Sequence, residues 1–96
     1  MADKITLVAT ITALTEFCTE VRNALKKVES EVQSEQGCEM YQLHIDLNNA
    51  NQFVMIERWK SKAMLEQHTQ ARPFKDFVHA IEGKASLQVV TLTRIE

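Results

Sequence analysis

Proline occurs once and glycine twice in these 96 residues, and cysteine only twice. With 45% hydrophobic and 25% charged residues, the composition is neither fibrous nor disordered. Cys18 and Cys38 lack CxxC spacing, so they build neither a disulfide framework nor a zinc pattern with the three histidines. Both read as reduced thiols serving as small core residues. Charge of one sign is also missing: 11 basic against 13 acidic residues leave a net charge of −2. The densest basic stretch, "RNALKKVES", mixes its charges along a helix and reads as a solvated face, so no nucleic-acid partner is expected. No apolar run is long enough for a membrane span. The start, "MADKITLVAT", lacks a basic segment leading into a long apolar one, so no membrane association and a cytoplasmic location are expected. There is no GxGxxG, P-loop or HExxH, so no nucleotide, flavin, metal or other cofactor is expected.

What is present is periodicity. The length suits one domain spanning residues 1–96. Lys4 to Ala13 alternates as a strand, with Ile5, Leu7, Ala9 and Ile11 on one side. Phe17, Val21, Leu25, Val28 and Val32 then recur at helical spacing, in a helix that Thr15 can cap and Gly37 can end. Cys38 to Leu47 alternates again, "NNANQ" reads as a loop, and Phe53 to Trp59 follows as the second arm of a hairpin. Ser61 can cap a short helix carrying Met64, Leu65 and His68 on one face. Pro73 interrupts it and opens another, with Phe74, Phe77, Val78 and Ile81 at i, i+3, i+4 and i+7 and Gly83 as a stop. Ser86 to Ile95 is β-branched and alternating, a fourth strand. The order β-α-β-β-α-β predicts an α+β, ferredoxin-like sandwich with helices on one face of an antiparallel sheet. The other face carries too many apolar groups to leave bare, which predicts a two-fold homodimer.

The hairpin "FVMIERW" places Glu57 and Trp59 among apolar neighbours. If Leu47 lies opposite Phe53, Tyr41 lies opposite Trp59 and Leu43 opposite Glu57, with Met55 beside them. Two readings stay open for this group. One is an aromatic pair in the core with a partnered carboxylate. The other is the wall of a pocket for a flat aromatic ligand. His68 should point inward, either as a satisfied core histidine or as a general base. His79 should face solvent, whereas His44, on the mixed face of its strand, could meet a ligand or a dimer partner.

Taken together, "SEQGCEMYQL", "FVMIERWKSKAMLEQH" and "RPFKDFVHAIEG" resemble the antibiotic biosynthesis monooxygenase family, and among its members the small quinol monooxygenases. The resemblance implies a dimeric α/β barrel with a pocket in each subunit. It also implies cofactor-free oxidation, with O₂, of a quinol-like or polycyclic phenolic substrate. His68 would be base or proton relay and Glu57 an orienting or acid–base group, these two being the catalytic candidates. Tyr41, Trp59, Met55, Leu65, Phe74 and His44 would contact substrate. Some polyketide-oxidising members place an asparagine where Met55 stands. Haem-degrading relatives carry a tryptophan at the position of His68 and an iron-binding histidine near Val78. Two other functions fit the same frame: an isomerase or lyase shuttling a proton through His68, and a non-catalytic ligand-binding or stress-response dimer.

Overall fold

A computed structural model describes residues 4–96 of the chain. Strand β1 (Ile5–Ala13) leads through a 3₁₀ turn at Thr15–Phe17 into helix α1 (Cys18–Val32). Strands β2 (Cys38–Asp46) and β3 (Asn49–Trp59) follow, then helices α2 (Lys62–Gln70) and α3 (Arg72–Ile81), and strand β4 (Ala85–Leu92). The four strands form one antiparallel sheet in the order β2-β3-β1-β4, the ferredoxin-like arrangement.

Parity decides which side chains meet the helices. Leu7, Ala9, Ile11 and Ala13 of β1 are buried, as are Phe53, Met55, Glu57 and Trp59 of β3, so the odd-numbered positions face inward. Helix α1 meets them with Val21, Leu25, Val28 and Val32, its apolar stripe. Helix α3 adds Phe77 and Ile81, whereas Val78 is exposed. Each fully buried side chain of this kind contributes roughly 1.5–3 kcal/mol, so the shared face of sheet and helices is the main stabilising layer.

Several local features differ from the sequence-based expectation. Thr15 does not cap α1. The 3₁₀ turn intervenes, and the Thr15 hydroxyl instead accepts a hydrogen bond from Asn51 Nδ2 at 3.0 Å. Helix α1 ends at Val32, so Gly37 belongs to the following loop. The "NNANQ" segment is not a loop, because β3 begins at Asn49 and only Leu47 and Asn48 turn the hairpin. Its local polar bonds explain this: Asp46 accepts from Asn48 N and from Gln52 Nε2, stapling the turn to the extended strand. The hairpin register is also displaced by two residues, pairing Tyr41 with Glu57, Leu43 with Met55 and Ile45 with Phe53. An even displacement leaves every side chain on its expected face. Ser61 does cap α2, accepting from Met64 N at 3.2 Å.

Gly37 and Gly83 both have positive φ, +81° and +76°. At Gly37 a Cβ would lie 2.4 Å from Met64 Cγ and 2.5 Å from Met64 Cβ, so this loop packs its backbone directly on α2. At Gly83 nothing lies within 4 Å. Gly83→Ala should therefore cost about 1 kcal/mol, the left-handed backbone penalty alone. Gly37→Ala should cost about 2–4 kcal/mol, because overpacking against the base of the Met64 side chain is added. Denaturant unfolding of the two variants checks the ordering; equal costs would mean that Met64 yields freely.

Candidate functional site

Strand β3 brings Met55, Glu57 and Trp59 to the inner face of the sheet, and the paired strand β2 brings Tyr41 beside Glu57. Helix α2 crosses this corner. Its stripe lowers His68 onto the Trp59 indole, with ring centroids 4.6 Å apart and planes at 28°, a stacked pair. Tyr41 meets the same imidazole edge-on at 5.5 Å, and Phe74 of α3 approaches it at 5.1 Å. His68 is thus 3% exposed and held by aromatic rings on three sides. Aromatic packing of this kind adds roughly 0.5–1.5 kcal/mol per pair beyond area burial.

Next to this cluster a cavity of about 80 Å³ separates the helices from the sheet. One water occupies roughly 10–15 Å³ on this measure, so several waters or a small ligand portion fit. Tyr41, Met55, Glu57, Leu65, His68 and Phe74 all contribute to its wall. The remainder is largely aliphatic, with Leu7, Leu25 and Leu87 among its members. Trp59 is fully buried and does not line the space; it backs the two polar groups that do. His44 lies elsewhere. It is exposed, opposite Val54 on the outward face of the sheet, with Nδ1 3.0 Å from Gln42 O. His79 is exposed on α3.

The electrostatics follow from the dry surroundings. Trp59 Nε1 donates to Glu57 Oε1 at 2.9 Å. Burial nevertheless pushes the Glu57 carboxyl up to about 7, the indole bond opposing and the nearby Glu35 adding to the rise. Burial likewise lowers the His68 imidazole below its ordinary value, against the opposing pull of Glu35. The Tyr41 phenol is raised well above its ordinary range by burial and by Glu57. Near neutral pH the cavity therefore offers a neutral imidazole, a carboxyl close to half-titrated and an un-ionised phenol. Perturbed groups gathered in a cleft mark candidate functional sites.

Glu35 did not emerge from the sequence. Its Oε1 lies 2.9 Å from His68 Nδ1, joining residues 33 apart in the chain. It is a lone acid in the polar α1–β2 connection, and only its place in "SEQGCEMYQL" touches a segment already singled out. Among the described residues, no group of three or more His, Cys, Asp or Glu side chains is arranged to hold a metal ion. No helix among them is long and apolar enough to cross a membrane.

Residues 4–80 match the family described as antibiotic biosynthesis monooxygenase, and the chain belongs to that family. The crystal structure of PA3566 from Pseudomonas aeruginosa is similar with a TM-score of 0.92 at 31% identity, covering 100% of this chain and 98% of that one. A Deinococcus radiodurans protein described under the same family name matches with a TM-score of 0.89 at 19% identity, covering 96% and 93%. Rv0793 from Mycobacterium tuberculosis matches with a TM-score of 0.91 at 17% identity, covering 97% and 96%. The last two similarities speak to the fold alone. No functionally curated protein matches the chain.

The raised Glu57 carboxyl carries a stability consequence. Its folded value lies above its unfolded one of about 4.5, so the folded state binds the extra proton between the two. The associated stability is present below pH 4.5 and is lost as pH rises through about 7. Glu57→Gln has no carboxyl to ionise. Relative to the parent chain, the variant should gain about 2–3 kcal/mol between pH 4.5 and 8. Urea unfolding across that range measures the difference; a flat profile would place the Glu57 carboxyl in its ordinary range.

Proposed function

We propose that the protein is a cofactor-independent monooxygenase that oxidises a quinol-like or polycyclic phenolic substrate with O₂. The observation that carries this is an apolar cavity walled by a neutral buried imidazole and a carboxyl of raised affinity for its proton. Family membership agrees with it. An electron-rich phenolate reduces O₂ without help, so the protein has to supply a base, orientation and exclusion of water.

In this scheme His68 removes the phenolic proton. The phenolate passes one electron to O₂, and the resulting radical and superoxide combine to form a carbon–oxygen bond. The imidazolium returns its proton to the peroxide. Loss of the ring C–H proton to His68 then cleaves the O–O bond and leaves a quinone carbonyl, and the departing hydroxide takes that proton back from the imidazolium as water. Glu57, held by the Trp59 indole, donates a hydrogen bond from its protonated form to a substrate oxygen. Tyr41, Met55, Leu65 and Phe74 enclose the ring, while Trp59 braces His68 and Glu57 from behind. The cavity is small for a fused ring system, so Leu65 and Phe74 must give way when such a substrate enters.

The working assembly in this proposal is a homodimer. On the outward face of the sheet Val8 lies between Ile56 and Val90, and Val54 and Leu92 flank them. Val90 and Leu92 are 55% and 44% exposed in the isolated chain. An apolar sheet face of this kind is stabilised by a second layer.

Incubation with a panel of hydroquinones and naphthols should give quinone formation that needs O₂ and exceeds the buffer rate. His68→Ala should lose at least about tenfold in kcat, the low end of what a general base contributes. Turnover without oxygen would favour a proton-shuttling isomerase or lyase instead, and an unchanged rate in the variant would remove His68 as the base.

A further inference from the structure

Stacking decides where the His68 ring lies but not how it is used. A turn of the imidazole by 180° about its Cβ–Cγ bond preserves most of its contacts with Trp59, Tyr41 and Phe74 while exchanging a nitrogen for a carbon. Ring contacts also do not choose which nitrogen carries the proton. A carboxylate can settle both, because it accepts only from a nitrogen that bears hydrogen.

Resting on the reading of His68 as the base, we propose that Glu35 is a positioning residue that keeps the His68 proton on Nδ1 and leaves the Nε2 lone pair for the ligand. Glu35 Oε1 is 2.9 Å from Nδ1 and is its hydrogen-bond partner among the described residues. The Glu35 side chain retains 18% exposure, yet its backbone is tied down on both sides. Glu35 N donates to Val32 O at 2.9 Å, and Cys38 N donates to Glu35 O at 3.1 Å. Two residues on, Lys60 N donates to Gly37 O at 2.8 Å, and Gly37 sits on Met64 without room for a Cβ. The same loop thus docks on the end of β3 and on α2, the two elements that carry Trp59 and His68. The distance from carboxylate to imidazole is set by backbone packing rather than by the reach of a surface side chain.

Glu35 Oε2 is buried without a partner in the protein, so the bond from His68 Nδ1 to Oε1 is the one hydrogen bond this carboxylate accepts among the described residues. The remaining charged or titratable groups facing the ring are Glu57 across the cavity and Tyr41, neither of which bonds to Nδ1.

Nitrogen-15 NMR of the parent chain at about pH 7.5, where a lowered imidazole is neutral, reads the tautomer directly and needs no substrate. The expected signature for His68 is a protonated Nδ1 and an unprotonated Nε2. In Glu35→Leu the preference should collapse to a mixture or reverse, and Glu35→Asp should restore part of it. Where Glu35→Leu fails to fold, Glu35→Gln serves, since its amide can accept from or donate to Nδ1 and so removes the bias. A parent chain with the proton on Nε2, or a folded variant without the carboxylate that keeps the parent signature, would overturn the proposal. On any quinol that the parent oxidises, Glu35→Leu should lower kcat at least about tenfold with KM changed by less than about threefold. If the tautomer behaves as described but no quinol is oxidised, the role of Glu35 stands and the monooxygenase function falls.

Discussion

The stack of His68 on Trp59 is the contact on which the site depends. It joins α2 to β3 through two aromatic rings with centroids 4.6 Å apart, and it is made where the buried polar side chains of the described residues, Glu57 and His68, gather in an otherwise apolar layer. Trp59 acts in two directions at once. Its face supports the imidazole, and its N–H orients the Glu57 carboxyl. Because the indole is wholly buried, its position is determined by the sheet, and both polar groups inherit that precision.

Burying an imidazole and a carboxyl in such a layer disfavours their charged forms, which is the same physics that makes them useful near neutral pH. The apolar walls that raise one group and lower the other also line most of the space between them. The Tyr41 phenol, pushed upward by the same burial, stays a donor. A pocket built this way favours ligands that arrive neutral.

Much of the architecture was legible because alternation and helical spacing report which face each residue takes. Tyr41, Met55 and Glu57 were assigned to one face from parity alone, and the two-residue displacement of the hairpin left that assignment intact. The register itself was not legible. It depends on Asp46 stapling a two-residue turn and on an irregularity between Ile45 and Asp46, and alternation records neither. His44 was placed by parity on the mixed face, but nothing in its strand said that this face looks away from the cavity. Glu35 was invisible for a different reason: its partner is 33 residues away, and a lone acid in a polar loop has no period to betray it.

The irregularity at the start of β2 has a further consequence. Cys38 pairs with Trp59 but Met40 pairs with Arg58, so one residue is absorbed there and the parity of β2 inverts. That single extra residue lets Cys38 and Tyr41 share the inner face of the sheet. The loss of one residue between Cys38 and Tyr41 would remove the irregularity and leave plain alternation, with Tyr41, Leu43 and Ile45 still facing inward, whereas the gain of one would have to be taken up in a wider bulge to keep them there.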